Sequence, residues 1–417
     1  MNPSRTVAFH TFGCKVNQYE TEELRAQLRL GGFRVVPLGT TADVNVINSC
    51  SVTAGADSSC RQLVRKLLRE QPASRVVVTG CYAQRAPEEL REVSGRVEVF
   101  GNREKPFIAI ALGVPTACVQ EAAKSGVVAL AERTRVYLKV QDGCDAHCTY
   151  CIIPSVRPER VCRDPEAVLR EAEQFLTRGF KEIVLTGVRL GCYQYGPAWD
   201  LARLCKALVE LPGDFRVRLS SVEVTEISDA LVALMQENPK LCPHFHIPMQ
   251  SGDNDVLKRM GRWYTADQYR ARVRDIKSQI PEIALSADVI VGFPGESDKQ
   301  FENSARLLEE EGFSRLHVFR YSVRPGTPAE RLRAHVDPRI KSARARNLVK
   351  LDGTLRARYA VGFLNRRLRV LQEAGGIGYT ERYVRVRASQ ALPEGAFQQV
   401  RPTRLAADGV LVAESIG

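Results

Sequence analysis

Between residues 138 and 154 the chain reads LKVQDGCDAHCTYCIIP, placing Cys144, Cys148 and Cys151 in a C-x3-C-x2-C triplet. Thiolates are soft ligands suited to zinc or to iron–sulfur clusters, and either centre asks for four ligands where this loop supplies three. A structural zinc site would add a second C-x2-C or a His pair at short spacing, and none follows. Cys162, eleven residues further on in RPERVCRDPE, is the nearest additional thiol, on the approach to a helix. His147 reads as a polar loop residue. A second set of thiols is spread more widely. Cys14, Cys50 and Cys81 lie 36 and 31 residues apart, yet each follows a strand signal and precedes a helix. In an open parallel sheet such positions converge at the carboxyl ends of the strands, where helix N-termini favour anionic groups. The opening MNPSRTVAFHTFGC moves at once into a strand-like pattern with no small-residue cleavage site, so no signal peptide is expected. Twelve cysteines in that setting point to metal or redox chemistry in a reducing cytosol rather than to a disulfide framework.

The elements that must position these residues fall into three groups, which predict an α/β protein. Over residues 1–125, TVAFHTF, ADVNVINS and SRVVVTG read as apolar strands, followed by helical patterns over 20–30, 54–69 and 87–93. That alternation predicts an open parallel sheet. The stretch GVPTACVQEAAKSG at 113–126 reads as a linker or edge element. Over residues 133–362, six further strand signals (VYLKVQ, EIVLTG, FRVRLSS, HFHIPMQ, ALSADVIVG and RLHVFRYS) alternate with helical stretches, the pattern of a partial (β/α)6 barrel. The triplet follows the first of these strands. Cys242, His244 and His246 share one face of a strand by period-two alternation and read as packing or lumen-lining residues. Residues 365–417 read as a small β-barrel of the kind that grips RNA, fed by a long helix over 338–359.

Composition narrows the function classes. At 44% hydrophobic the chain can build packed cores, and no run nears the roughly 18 apolar residues of a membrane span. The net charge of +12 is concentrated: twelve Lys or Arg against two Asp between 331 and 370 carry +10 of it. That density predicts a polyanionic partner, with Arg344, Arg346, Lys350, Arg366 and Arg367 as candidate nucleic-acid contacts.

The triplet, with Tyr150 just before its last cysteine, resembles the signature of the radical S-adenosylmethionine enzymes. The resemblance implies that Cys144, Cys148 and Cys151 hold three irons of a [4Fe-4S] cluster and that S-adenosylmethionine chelates the fourth, so Cys162 is not a ligand. LTGVRLGCYQYG, RLSSVEV, HIPMQSG and DVIVGFPGE look like the cofactor loops of one branch, the methylthiotransferases. They nominate Tyr150, Thr186, Gly187, Ser221, Glu223, Gln250 and Gly292 as cofactor contacts, the glycines allowing close backbone approach. TFGCKVNQYETE, NSCSVT and GCYAQ resemble that family's amino-terminal domain, which implies a second, sulfur-carrying [4Fe-4S] cluster on Cys14, Cys50 and Cys81. The tail resembles the TRAM domain. GCKVNQYE, with Thr53 and Tyr82, is similar to the enzymes acting on N6-threonylcarbamoyladenosine. Motifs nearer GCQMN mark enzymes for isopentenyladenosine, and motifs nearer GCPKN mark those acting on a ribosomal-protein aspartate.

The implied activity is addition of a methylthio group to carbon 2 of N6-threonylcarbamoyladenosine at tRNA position 37. Two S-adenosylmethionine molecules serve each turnover, one for the sulfur's methyl group and one for the hydrogen-abstracting radical. A tRNA anticodon stem–loop and an electron donor such as flavodoxin or ferredoxin are the implied partners of a cytoplasmic monomer with no membrane attachment. The alternatives are another tRNA adenosine, a ribosomal-protein aspartate, or, in a different class, a non-catalytic zinc RNA-binding protein. The sequence departs from the family pattern at Pro158 (usually Gly), Arg189 (usually Asn), Val224 (often Pro) and Cys162 (often Ser).

Overall fold

The computed structural model describes residues 5–124, 134–390 and 393–416. The amino-terminal strands form a five-stranded parallel sheet in the order Arg34–Val35, Thr6–Thr11, Val44–Ser49, Arg75–Gly80, Val97–Val99. Its three central strands are the ones that end at the cysteines. Helices cover both faces, which is why Val44–Ser49 is buried at every position. Gly80 has φ +97°, and a Cβ there would stand 2.3 Å from Ser49 O, so glycine alone lets the chain turn into Cys81.

Two elements differ from the sequence reading. The first helix runs Lys15–Leu30, starting directly after Cys14 rather than at residue 20. Residues 116–124 form a helix instead of a linker, with Cys118 and Val119 packed on the core around Val7, Leu24 and Leu28. Short length and the preceding Gly-Val-Pro hid its helical pattern; residues 125 and 126 lie outside the described residues.

The central domain has all six expected strands: Arg135–Lys139, Glu182–Thr186, Arg216–Leu219, His244–His246, Ala284–Val291 and Arg315–Arg320. They form two parallel three-stranded sheets joined through single bridges, Val217 to Leu241 and Ser221 to His246. The result is a curved six-strand wall. The Lys15–Leu30 helix packs beside its first strand, where Tyr19 is buried in the central core with its hydroxyl 3.1 Å from Glu171.

The Pro338–Val361 helix leads into a closed five-stranded barrel, with strand order Leu368–Gln372, Ile377–Thr380, Arg385–Ala388, Leu411–Ser415, Phe397–Leu405. This barrel is docked on the central sheet. Fully buried Arg218 donates to Glu381 O at 2.7 Å and Thr380 O at 3.1 Å, while Glu182 neutralises it at 2.8 Å. No helix among the described residues is long and apolar enough to cross a membrane.

Candidate active site between two cysteine triads

Each of the six nominated cysteines has an N–H group directed at its sulfur. Backbone N–H groups of Asn17, Val52, Ala146 and Ile153 serve Cys14, Cys50, Cys144 and Cys151. Those donors lie two or three residues downstream, where a helix or turn begins and its first N–H groups lack intrahelical partners. The other two sulfurs are served by side chains. Arg262 Nη1 is 3.2 Å from Cys148 Sγ, and Asn102 Nδ2 is 3.9 Å from Cys81 Sγ. Such donors stabilise negative charge on sulfur. Burial acts the other way, pushing the Cys50 thiol up to about 11 and the Cys151 thiol up to about 12. These thiols therefore keep their protons at neutral pH until a cationic centre displaces them.

The two triads are neighbours. Cys81 packs against Ile152 and Val156, in the turn that follows Cys151. A cavity of about 160 Å³ lies between the triad loops, lined by Thr53 after Cys50, by Tyr150 and Cys151, and by Gln250, Asp288 and Phe319 from the strand ends. Gln250 adopts φ +63°, a left-handed conformation that non-glycine residues hold only where the surroundings impose it. Among the described residues no three His, Cys, Asp or Glu side chains converge on a single metal-ion position.

Residues 6–101 match the profile of the "Uncharacterized protein family UPF0004", and residues 138–308 match the Radical SAM superfamily. The Threonylcarbamoyladenosine tRNA methylthiotransferase MtaB of Bacillus subtilis is 39% identical, with 91% of this chain and 90% of that protein aligned. The chain belongs to the MtaB-type radical S-adenosylmethionine methylthiotransferases. The Thermotoga maritima protein of the same name is 38% identical over 98% of this chain and 96% of its own length. The tRNA-2-methylthio-N(6)-dimethylallyladenosine synthase of Thermobifida fusca is 32% identical, covering 90% of this chain and 79% of that one. Among solved structures, the radical S-adenosylmethionine methyltransferase TsrM of Kitasatospora setae shares the fold at TM-score 0.56 and 15% identity, over 78% of this chain and 77% of that one.

The donor set of this methylthiotransferase fits iron–sulfur ligation: soft sulfurs, each with an N–H partner, in two sets of three. Cys162 has other partners, Gln194 N donating to its sulfur at 3.4 Å and Cys192 O lying 3.9 Å away. The nominated cofactor residues lie at strand ends, in two different settings. Tyr150 and Gln250 line the cavity. Thr186 is buried with no hydrogen-bond partner for its hydroxyl among the described residues, Ser221 bridges to the His246 strand, and Glu223 is ion-paired to Arg262. Gly187 and Gly292 approach protein rather than open space. A Cβ on Gly187 would meet Gln141 at 2.9 Å, and one on Gly292 would meet the Lys341 stem at 2.4 Å.

The basic segment also divides. Arg344 is buried and bonds Glu296 at 2.6 Å and Asp298 at 2.7 Å, so its charge is neutralised internally and is withdrawn from the expected nucleic-acid contacts. Arg346, Lys350, Arg366 and Arg367 are exposed, with Arg366 paired to Glu282 at 2.6 Å. His244 and His246 both bond the Ser286 hydroxyl, at 3.2 and 3.0 Å, and so share the lumen face as read from the sequence. Arg189 bonds Glu226 at 2.5 Å and Asp145 at 3.2 Å, which ties it to the triplet loop.

Sequence reasoning missed Arg262, Asn102 and Arg157. Arg157 is a buried hub bonding Glu20 and Asp142 at 2.8 Å and Asn17 at 3.1 Å. The Arg-Pro pair at 157–158 was the one local signal for it.

Proposed function

We propose that this chain adds a methylthio group to carbon 2 of N6-threonylcarbamoyladenosine at position 37 of tRNA. The observation that carries the reading is the identity of 38–39% with two enzymes of that name over more than nine-tenths of the chain. The geometry supports it, because Cys81 packs against the turn that follows Cys151, and Cys151 and the loop after Cys50 line one cavity. Two [4Fe-4S] clusters, on Cys144, Cys148 and Cys151 and on Cys14, Cys50 and Cys81, together with S-adenosylmethionine, would supply the radical, the electron transfer and the sulfur.

The chain's own residues have definable tasks. Arg262, anchored by Glu223, holds negative charge at Cys148; Asn102, anchored on Val156 O at 3.0 Å, does the same at Cys81. Tyr150, packed edge-on against Phe293 at 6.5 Å, and Ile152 exclude water between the triads. Phe319, exposed at the cavity edge, offers a flat face on which an unstacked base can rest. Exposed Arg346, Lys350 and Arg367, with the terminal barrel, would meet the RNA backbone.

Mass spectrometry of tRNA nucleosides from a strain lacking this gene decides the substrate. Loss of 2-methylthio-N6-threonylcarbamoyladenosine, restored by the gene, is expected; an unchanged level refutes the assignment.

A further inference from the structure

We propose that Gln250 and Asp288 read the Hoogsteen edge of the target adenine, Gln250 donating to N7 and Asp288 accepting from N6–H, an inference that rests on the substrate proposed above. Both residues line the cavity between the triads. Gln250 N donates to Asp288 O at 2.9 Å and Ile290 N donates to Gln250 O at 2.9 Å, so Gln250 pairs with Val289 between them. Paired residues of a ladder share a face, and Val289 is buried in the core. The left-handed φ of Gln250, +63°, takes it out of that alternation, and it lines the cavity with Asp288 and Ile290 instead. Its amide has no hydrogen-bond partner among the described residues.

Asp288 is held by a chain of side chains. His246 Nε2 lies 3.1 Å from Asp288 Oδ1, His246 Nδ1 lies 3.0 Å from Ser286 Oγ, and His244 Nε2 lies 3.2 Å from that same oxygen. Donors running in one direction satisfy all three contacts: His244 N–H to Ser286, the Ser286 hydroxyl to His246, and His246 N–H to Asp288. Oδ1 is thereby occupied, while Oδ2 has no partner among the described residues. The cavity thus presents a fixed acceptor beside an uncommitted amide. Adenine's Hoogsteen edge is the complement, an N7 acceptor next to an N6–H donor, and a single N6 substituent leaves one such hydrogen in place. Guanine would bring its O6 acceptor against the carboxylate. Carbon 2 lies across the purine ring from N7. With N7 and N6 held at the strand ends, carbon 2 would face the lining supplied by the triad loops, Val52 and Thr53 with Cys151 and Ile152.

The test uses the reconstituted holoenzyme and anticodon stem–loops carrying N6-threonylcarbamoyladenosine or its 7-deaza analogue, in which C–H replaces N7. The kcat/KM for methylthiolation is read for each, alongside iron content and S-adenosylmethionine affinity. The native enzyme should prefer the N7 loop about tenfold, the effect of one buried hydrogen bond. Gln250→Met, which keeps length and removes the donor, should treat the two loops alike. Asp288→Asn should release severalfold more 5'-deoxyadenosine per methylthiolated loop than the native enzyme, because a base held less firmly is missed by the radical. Equal use of both loops by the native enzyme overturns the assignment, as does an N7 preference kept in Gln250→Met; weakened S-adenosylmethionine binding beside that kept preference would make Gln250 a cofactor contact instead. If Gln250→Met loses iron, Asp288→Asn decides, and a native ratio of 5'-deoxyadenosine to product overturns the assignment. Failure of the native enzyme to methylthiolate the N7 loop at all would instead refute the proposed substrate.

Discussion

Arg324, in the segment after the sixth strand of the central domain, bonds Asp57 in the amino-terminal domain, and both side chains are buried. The same guanidinium donates to Ser51 Oγ at 3.0 Å, one residue past Cys50. Arg85 holds Asp57 from the other side at 3.0 Å, and Ala54 N donates to Ser322 Oγ at 3.1 Å. The Cys50 loop is thus clamped to the wall that carries the other triad. Removing one partner of a buried pair leaves a desolvated charge. Arg324→Ala should therefore cost about 3 kcal/mol, softened by Arg85. Anaerobic thermal unfolding checks this, and a melting temperature equal to that of the native protein would show that the clamp contributes nothing.

Arg262 links Glu223 to Cys148 Sγ and carries a positive charge to that sulfur. Reduction adds negative charge to a cluster, so losing the donor should disfavour the reduced form. Arg262→Gln should lower the potential of the cluster on the triplet by about 40 mV, one net hydrogen bond expressed for one electron. Potentiometric titration followed by electron paramagnetic resonance reads it. A potential at or above the native value contradicts the role given to Arg262.

Glu23 faces a second, larger cleft between the domains, lined also by Glu20, Lys105, Lys139 and Arg157. Burial, reinforced by the charges of Glu20 and Glu171, pushes its carboxyl up to about 7 against the attraction of Lys139. Below the ordinary value of 4.5 both folded and unfolded chains hold this proton. Between there and about 7 only the folded chain does, so stability falls as pH rises, and above that window the penalty is complete. Glu23→Gln should stabilise the protein by about 1–2 kcal/mol at pH 8, less than the shift alone implies because water reaches part of the side chain. At pH 5 the gain should nearly vanish. Melting temperatures at both pH values test this, and a gain independent of pH would place the effect elsewhere.

What the sequence made legible was local or periodic. Cys14, Cys50 and Cys81 could be brought together on paper because strand ends of a parallel sheet converge, and the six strands of the central wall announced themselves by apolar runs. The start of the first helix did not, since Lys15, Asn17 and Gln18 give no apolar stripe; tertiary bonds fix that turn, such as Asn17 Nδ2 to Ser49 O at 2.9 Å. Charge was misread for the same reason. Composition counts Arg344 as a free cation, but its neutralising partners lie 48 and 46 residues upstream. The donors to Cys148 and Cys81 come from 114 and 21 residues downstream, separations that no motif spans.

Cys162 offers a direct check on ligand arithmetic. Its sulfur accepts a hydrogen bond from Gln194 N at 3.4 Å, and its strand pairs with Gln141, which leads into the triplet loop. Cys162→Ala should leave iron and sulfide per chain unchanged after anaerobic reconstitution. Replacing Cys14, Cys50 and Cys81 together by Ala should remove about half of both, if each triad holds one cluster of equal size. Full iron in the triple variant would eliminate the second cluster, and lost iron in Cys162→Ala would make that thiol a ligand.

The long helix separates electrostatic binding from folding. Arg346 and Lys350 are one turn apart, exposed and without an ion pair among the described residues, whereas Arg344 on the same helix is buried between Glu296 and Asp298. Each lysine or arginine on a phosphate releases about one counterion, so the double change Arg346→Ala, Lys350→Ala should reduce the slope of log affinity against log salt by about two. Melting should hardly change, because exposed charges contribute little to stability. Arg344→Ala should do the reverse, lowering the melting temperature by stranding Glu296 while leaving the salt slope of the folded protein intact. A salt slope untouched by the double change would move the RNA path off this helix, onto Arg367 and the terminal barrel.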